Sequence, residues 1–296
     1  MEEVVVIGGG AGGLNAALVL ARARRQVMVV DSGAPRNAPA QGVHGFLSRD
    51  GMPPAELVAA GRAEVERYGG RVVPSDVRAL RVAGDGFEVE LAEWTIRARR
   101  VIVATGLRDE LPELPGIRER WGKDVLHCPY CHGWEVRGEP VGVLGTRPES
   151  VHQALLVRQW SDDVVFFAGT LDEPGRAKLT ARGVRIVDGR VDGLVVEDDR
   201  LRGVRLADGS VVERSALFVA PTFVPNDVLL TGLGCARVDG WVAVDPSGRT
   251  SVAGVWAVGN VVDPRAQVVT AAAAGATAAA AVNLDLIEEE MLEGAL

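Results

Sequence analysis

Two cysteines separated by two residues carry the strongest chemical signal in the sequence. They lie in the string His127-Cys128-Pro129-Tyr130-Cys131-His132-Gly133. Cysteines at this spacing near a helix start can close into a small disulfide ring, and the helix end and nearby charge can stabilise one thiolate. We therefore predict redox catalysis at Cys128 and Cys131.

Three other interpretations of the cysteine pair stay open from the residues alone. Half of a zinc site is one, although no second CxxC exists and Cys235 is remote in sequence. Buried inert thiols are another, and the two flanking histidines argue against them. A glutaredoxin site is the third, but that module would place the pair early in a small thioredoxin fold. We predict no metal site, and we expect Cys235 to be a buried packing thiol.

A dinucleotide-binding fingerprint opens the chain. Gly8, Gly10 and Gly13 form GxGxxG directly after the β-branched run Val4–Ile7 and at the mouth of a helix. These glycines permit the turn, the approach of backbone to a pyrophosphate and the packing of helix on strand. Asp31 follows 18 residues after Gly13, where its carboxylate can accept hydrogen bonds from an adenosine ribose. The pattern predicts a bound dinucleotide.

The elements that position these residues occur twice. A shift of 137 positions places Val4–Gly8 on Val141–Gly145 and Val27–Val30 on Val164–Phe167 without gaps. A proline-rich break, Leu111–Gly116, lies between the copies. We predict an α/β protein with two Rossmann-like dinucleotide-binding domains: a discontinuous one at 1–114 and 243–296, and an inserted one at 115–242 that carries the CxxC. Asp50 is a candidate cap for a helix that begins near Pro53.

The order of these parts resembles that of thioredoxin reductases over essentially the whole chain. Val101–Gly106 resembles the ATG strand and turn of these flavoproteins, and Thr250–Asp263 resembles their C-terminal flavin motif, with Asn260 where the usual residue is Asp. The resemblance implies that FAD is the cofactor and binds the discontinuous domain, that the inserted domain is of the NADPH type, and that the protein is a homodimer. The implied cofactor-binding residues are Gly8, Gly10, Ala11, Gly13, Asp31, Arg36, Asn37, Gly45, Val77, Thr105, Gly106, Gly259, Asn260, Gln267 and Val268.

The resemblance also implies roles at the redox pair. Cys131 would face the flavin and form the charge-transfer thiolate, and Cys128 would exchange with substrate. The residue after the second cysteine is usually an acid that donates a proton, and here it is His132. Because an imidazole titrates near neutral pH, we assign His132 as acid/base, with His127 as the alternative. A surface histidine that caps a turn is the competing interpretation of His132.

Further strings resemble one branch of the family, the dithiol oxidases that close disulfides in gliotoxin- and holomycin-type natural products. These strings are Cys128–Trp134, Asp31–Gly33, Pro35–Asn37, His44–Phe46 and Arg49–Gly51. The resemblance implies a small-molecule dithiol or disulfide, or a thioredoxin-like protein, as partner.

The second copy of the dinucleotide fingerprint is degenerate. Under the same shift Gly10 becomes Arg147, Gly13 becomes Ser150 and Asp31 becomes Ala168. A long side chain at Arg147 obstructs the approach to a pyrophosphate, unless it supplies charge to a phosphate in another geometry. The segment 168–173 offers carboxylates instead of bases for a 2′-phosphate, while Arg176 and Lys178 follow and could fold back.

Three hypotheses follow from a doubtful NADPH site. The first is a dithiol oxidase that passes electrons from substrate thiols to O₂. The second is a conventional NADPH-driven reductase of thioredoxin or a small disulfide, and the third is a disulfide reductase fed by ferredoxin or another carrier. A flavin-binding remnant that acts as an interaction or sensor protein is least favoured, because the cysteine pair is intact.

Composition excludes other classes of partner. The formal charge is −8, with 40 acidic against 32 basic residues scattered along the chain, so neither nucleic acid nor an anionic membrane is expected to bind. The start, Met1-Glu2-Glu3-Val4, has no basic region before its apolar run, and we expect a cytoplasmic protein. The uncharged stretch Val268–Leu284 is rich in Ala, Gly and Thr, which favours a buried helix over a membrane span.

Overall fold

The chain folds into two compact units in the computed structural model, which describes residues 1–169 and 171–294. Unit 1 comprises Met1–Ala38, Met52–Arg108 and the chain from Phe223 onwards. Unit 2 comprises Pro39–Gly51 and Asp109–Thr222. The discontinuous first unit has the predicted form, but its bounds differ from the prediction in two places.

Strands and helices alternate over residues 2–74 and 125–188, and a run of consecutive strands follows each of these stretches. The helices are Ala11–Arg22 (α1), Pro54–Arg67 (α2), Ile117–Arg120 (α3), Pro129–His132 (α4), Glu149–Val157 (α5), Glu173–Ala181 (α6), Val228–Gly232 (α7) and Val268–Gly294 (α8). The strands are Glu2–Ile7 (β1), Val27–Asp31 (β2), Arg71–Pro74 (β3), Val77–Ala83 (β4), Gly86–Leu91 (β5), Thr95–Val103 (β6), Leu107–Glu110 (β7), Val125–Leu126 (β8), Val141–Gly145 (β9), Val164–Ala168 (β10), Arg185–Asp188 (β11), Val191–Glu197 (β12), Arg200–Leu206 (β13), Val211–Glu213 (β14), Ala216–Val219 (β15), Thr222–Pro225 (β16), Arg237–Val238 (β17), Trp241–Val242 (β18) and Val255–Ala257 (β19).

The sheet of unit 1 has the order β3-β2-β1-β6-β5-β4, with β19 paired to β6. β1 runs parallel to β2 and β6, and β19 also runs parallel to β6. The residues Val4–Val6 are fully buried, as expected for a parallel strand covered on both faces. The carboxyl ends of β2, β1, β6 and β19 therefore meet at one edge, which brings the loops after them together.

The chain returns to unit 1 at Phe223 and not at residue 243 as predicted. The reason is packing: Leu230, Cys235 and Val242 lie in the same apolar cluster as Val5 and Ile7 of β1. The apolar residues that follow β16 thus complete the core of the first sheet. Cys235 is 6% exposed, which confirms the prediction of a buried packing thiol.

The second difference is the segment Pro39–Gly51, which belongs to unit 2 although the sequence places it inside the first domain. The prediction that Asp50 caps α2 is wrong, because α2 follows Pro53, which has no capping side chain. Asp50 instead accepts a hydrogen bond from the backbone N–H of Gly45 at 2.9 Å. It therefore stabilises its own loop.

The long helix α8 packs on α1 through small residues. A Cβ built on Gly275 would lie 2.0 Å from the carbonyl oxygen of Gly12, so the two helix backbones are in close contact. One face of α8 is fully buried at Ala278, Ala279 and Leu286, whereas Val269 and Leu284 are exposed, so the predicted buried helix is buried on one side only. Within the described residues it is the one helix whose length and composition would also suit a membrane span.

The main sheet of unit 2 is parallel, in the order β11-β10-β9-β15-β8. Its first two strands repeat the register of unit 1: Val141 pairs with Val164 as Val4 pairs with Val27. The predicted internal repeat is therefore a repeat of structure. Strand order reverses between β9 and β15, so the nucleotide crevice of this fold lies outside the carboxyl ends of these two strands. The strands β12-β13-β14 form a separate antiparallel sheet.

Candidate functional site

The glycine turn after β1 is shaped by close backbone contacts. Gly8 has a φ of +106°, and a Cβ there would lie 2.4 Å from the carbonyl oxygen of Ala104. A Cβ on Gly13 would lie 1.9 Å from the carbonyl oxygen of Gly8. By contrast, among the described residues no atom lies within 4 Å of a Cβ built on Gly10. Gly8 and Gly13 thus build the turn, and Gly10 faces open space, as the fit of a pyrophosphate requires.

Asp31 lies at the end of β2 beside this turn. Its Oδ1 accepts a hydrogen bond from the backbone N–H of Gly9 at 2.9 Å, and its Oδ2 accepts one from Arg62 at 2.5 Å. Each carboxylate oxygen has a further lone pair, so the group can still accept from a ribose hydroxyl. The pairing with Arg62 of α2 was not predicted, because only the fold brings that helix beside β2.

The turn after β6 is held by Asn226. The Thr105 hydroxyl donates to the carbonyl oxygen of Asn226 at 2.7 Å, and the Asn226 side-chain amide donates to the carbonyl oxygen of Thr105 at 2.9 Å. Gly106 follows with a φ of +69°, and its carbonyl oxygen accepts from the Asn226 backbone N–H at 3.0 Å. Asn226 was missed because it lies 121 residues away in sequence, in no recognised motif.

The C-terminal motif places Gly259 and Asn260 directly past β19. Gly259 has a φ of +74°. The Asn260 amide donates to the carbonyl oxygens of Asp263 and Ala266, each at 2.9 Å, and its Oδ1 lies 3.4 Å from a guanidinium nitrogen of Arg36. Arg36 and Asn260, which are predicted site residues from opposite ends of the chain, are therefore brought together.

The start of α8 reaches the same edge. A Cβ on Gly12 would lie 3.2 Å from the carbonyl oxygen of Ala271, and Asn15 of α1 donates to the carbonyl oxygen of Ala272 at 2.6 Å. Gln267 and Val268, which open α8, are thus carried beside the first helix. Asn15 is a positioning residue that the sequence analysis did not identify.

The remaining predicted cofactor-binding residues lie in different places. Ala11 is the first residue of α1, and Asn37 is half-buried just past Arg36. Val77 begins β4, two residues after Ser75, whose backbone N–H donates to the carbonyl oxygen of Asp31. Gly45 lies in the segment Pro39–Gly51, which belongs to unit 2.

The redox pair is disulfide-bonded in unit 2. Cys128 is the N-cap of the short helix α4, with Cα atoms of Cys128 and Cys131 5.2 Å apart, and the backbone N–H groups of Cys131 and His132 both donate to the carbonyl oxygen of Cys128 at 3.1 Å. Glycine is required at position 133, directly after α4, because a Cβ there would lie 2.7 Å from the indole of Trp160. The predicted helix start at the CxxC is confirmed.

Two histidines flank the cysteines in different settings. Nδ1 of His127 lies 3.1 Å from the carbonyl oxygen of Val219, and because a carbonyl only accepts, Nδ1 carries the proton. Burial lowers the pKa of His132, and the positive charges of His44 and His127 lower it further, while Glu135 raises it. His132 is therefore biased towards the neutral form that can accept a proton.

The loop Pro39–Gly51 adds a third imidazole to this group. Nε2 of His44 lies 3.4 Å from Oε1 of Glu135, and its Nδ1 lies 3.4 Å from Oδ2 of Asp50. The sequence analysis used His44 only as part of a family resemblance. No local signal pointed to its contact with Glu135, which lies in a different segment.

The second nucleotide crevice is crossed by a side chain. Arg147 follows β9, and its guanidinium donates to the hydroxyl of Thr222, which follows β15. The same side chain lies 3.4 Å from a carboxylate oxygen of Glu149. Ser150, at the third glycine position, is the second residue of α5 and is fully buried. Arg147 thus spans the two strands whose ends border the crevice.

The residues past β10 offer little positive charge for a 2′-phosphate. Asp172 caps α6 by accepting from the backbone N–H of Gly175 at 2.8 Å. Arg176 pairs with Asp188 at the end of β11 at 2.8 Å, and this contact lowers the pKa of Asp188. Arg176 is therefore engaged elsewhere, and Lys178 is exposed on α6. Thr170, part of the predicted segment, lies outside the described residues.

Comparisons with known proteins cover nearly the whole chain. Residues 2–276 match the family model described as pyridine nucleotide-disulphide oxidoreductase. The chain is 32% identical over 312 aligned residues to thioredoxin reductase sirT of Leptosphaeria maculans, with 98% of this chain and 95% of that protein covered. The crystal structure of HlmI matches with a TM-score of 0.97 and 59% identity, over 99% of this chain and 95% of that one. An oxidoreductase from Agrobacterium tumefaciens matches with a TM-score of 0.91 and 37% identity, over 97% and 98%.

Proposed function

The chain belongs to the pyridine nucleotide-disulphide oxidoreductase family, and within that family we propose that it oxidises small dithiols to disulfides without drawing electrons from NADPH. The match to the family model and to thioredoxin reductases shows that the protein is a thioredoxin reductase-like flavoprotein disulfide oxidoreductase. The family implies FAD as its cofactor. The glycine turn, Asp31 and the loops after β6 and β19 form the cradle that fits this cofactor.

The proposed reaction begins with exchange at the cysteine pair. A substrate thiolate attacks Sγ of Cys128, the Cys128–Cys131 bond breaks, and Cys131 leaves as the thiolate. The second substrate thiol then attacks the mixed disulfide, which releases the cyclic or linear disulfide product and leaves Cys128 reduced. Two electrons and two protons have passed from substrate to the protein, and His132 accepts a proton because burial lowers its pKa.

When bound, FAD would supply the remaining redox chemistry, since a flavin can take two electrons from a dithiol and pass them, with two protons, to O₂ to give hydrogen peroxide. The protein's part is to hold this group at the first sheet and to regenerate the cysteine disulfide. Cys131 is the proposed cysteine on the flavin side, by family resemblance. The next substrate can then react with the restored disulfide.

The observation that supports independence from NADPH is the contact between Arg147 and Thr222. In a working dinucleotide fold the loop after the first strand must bring bare backbone to the pyrophosphate. Here a guanidinium occupies that position and is tied to the neighbouring strand end. The lack of a basic cluster beside β10, within the described residues, supports the same conclusion.

Two parallel assays test the proposal. The purified holoenzyme is mixed with NADPH under argon, and separately with dithiothreitol in air, while flavin absorbance and peroxide are followed. We expect slow or no bleaching by NADPH, and peroxide formation from the dithiol that depends on the cysteines. The double variant Cys128→Ser/Cys131→Ser is the control for direct oxidation by free flavin. Rapid bleaching by NADPH would show a conventional reductase, and inertness in both assays would show a carrier-linked enzyme.

A further inference from the structure

The imidazole of His44 bridges two carboxylates from separate segments of unit 2. Nδ1 lies 3.4 Å from Oδ2 of Asp50, and Nε2 lies 3.4 Å from Oε1 of Glu135. Asp50 is held in turn, because its Oδ1 accepts from the backbone N–H of Gly45 at 2.9 Å. This hydrogen bond is the largest cause of the lowered pKa of Asp50, so the group is ionised at neutral pH.

The backbone of the loop fixes the place of the ring. The N–H of Gly51 donates to the carbonyl oxygen of Val43 at 2.8 Å and closes the loop, with Gly51 at a φ of +78°. A Cβ on Gly42 would lie 3.2 Å from Nε2 of His44 and 3.1 Å from the carbonyl oxygen of Gly51. Glycine at position 42 therefore leaves the space that the imidazole occupies.

The carboxylate that His44 contacts also acts on the redox centre. Glu135 lies three residues after His132, just past the end of α4. It is the main group that raises the pKa of His132, against the lowering by burial. The positive forms of His44 and His127 act in the opposite direction from Glu135. The charge environment of His132 therefore depends on where the Glu135 carboxylate is held.

We propose that His44 is a positioning residue of the redox centre: it holds the carboxylate of Glu135, which follows His132 by three residues, while Asp50 orients the His44 ring. By this contact the loop Pro39–Gly51 sets the pH range over which His132 can take up the proton of a reacting thiol. The functional consequence rests on the proposed role of His132, but the positioning itself does not.

A double-substitution cycle isolates the positioning, because a single change at His44 also removes its own charge. The chain has only four histidines, so the ring signals of the oxidised holoenzyme can be assigned by single substitution and titrated by NMR. We expect Glu135→Gln to lower the pKa of His132. In a His44→Gln background the same change is expected to have an effect at least about twofold smaller, because the carboxylate is no longer held.

The matched control is Glu139→Gln, which removes an exposed carboxylate from the same stretch of chain without a contact to His44 or His132 among those described. A second variant, Asp50→Asn, keeps the ring but removes the charge that orients it, and it too is expected to reduce the effect of Glu135→Gln. If Glu135→Gln shifts His132 equally in all three backgrounds, wild type, His44→Gln and Asp50→Asn, the positioning role is overturned.

The pH profile of dithiol oxidation separates this inference from the proposed function. With both correct, the acid limb of the profile moves to lower pH in Glu135→Gln, by the shift that NMR gives for His132. If the NMR cycle shows coupling but the rate profile does not move, the acid/base role of His132 fails and the positioning by His44 holds. The titration needs no turnover, so it is decisive even for an enzyme that takes electrons from NADPH.

Discussion

The guanidinium of Arg147 donates to the hydroxyl of Thr222 across the carboxyl ends of two adjacent parallel strands, β9 and β15. In unit 1 the equivalent position is Gly10, beside which a Cβ would meet no described atom. The two units share strand register, but they differ at this position, where the loop after the first strand would meet a dinucleotide. Duplication has therefore kept the framework and changed the crevice.

Opening the second crevice is expected to increase the response to nicotinamide nucleotides. Arg147→Gly removes the side chain that spans β9 and β15, so we expect flavin bleaching by NADPH or NADH under argon to accelerate by at least about tenfold, or 1.4 kcal/mol. Arg147→Lys is the matched control, because it keeps a long cationic side chain. Stopped-flow absorbance gives the rate of bleaching. Equal rates in wild type, Arg147→Gly and Arg147→Lys would show that the Arg147 side chain does not obstruct nucleotide binding.

Two glycines of the first turn are expected to respond differently to alanine. Gly13→Ala places a Cβ 1.9 Å from the carbonyl oxygen of Gly8, so we expect the apoprotein to lose about 1–3 kcal/mol of unfolding free energy. Gly10→Ala meets no described protein atom, so the apoprotein should stay within about 0.5 kcal/mol of wild type while FAD affinity falls about tenfold. Thermal unfolding and flavin fluorescence titration measure the two effects, and unchanged FAD affinity in Gly10→Ala would place the pyrophosphate elsewhere.

The cysteines are expected to have separable roles. Cys128→Ser removes the thiol proposed to exchange with substrate, and should keep a long-wavelength charge-transfer band from the Cys131 thiolate after reduction. Cys131→Ser should lose that band, and either change should slow dithiol oxidation by at least about 10³-fold, because the two residues act as a unit. Absorbance spectra after reduction check the assignment, and the opposite pattern of bands would reverse it.

The pH dependence of dithiol oxidation is expected to show an acid limb due to His132. Burial disfavours the imidazolium and lowers the pKa, so the neutral base persists to a lower pH than for an exposed histidine, and activity falls only as the pH drops below that lowered value. His132→Ala should lose the acid limb of the pH profile, and its rate of dithiol oxidation should fall about 10²-fold. His152→Ala, on α5, is the control, and an unchanged profile in His132→Ala would transfer the role to His127.

The strands and turns that depend on local residue patterns could be predicted from the sequence. The β-branched runs, the glycine turn and the 137-residue shift predicted β1, β2, β9 and β10, because a buried parallel strand reads directly as an apolar run. The contacts that join distant segments could not be read in this way. Asn226 holds Thr105, and His44 meets Glu135, through loops whose course depends on packing of the whole unit.

The position at which the chain returns to unit 1 could not be predicted from local patterns either. The predicted return is at residue 243, yet Leu230 already lies in the first core. A short apolar helix after a linker carries no sign of which core it will join. The space left beside β1 determines which core this helix joins.

The split of unit 1 by unit 2 has a consequence for synthesis on the ribosome. Unit 2 has its full set of segments once Thr222 has emerged, whereas β19 and α8, which complete the first sheet and cover its glycine turn, are translated last. The inserted unit can therefore fold while the nascent chain is still growing, and flavin capture must wait until β19 and α8 have emerged. Ribosome-stalled chains from which Thr222 has emerged but β19 has not should thus be colourless but already protease-resistant in their middle third.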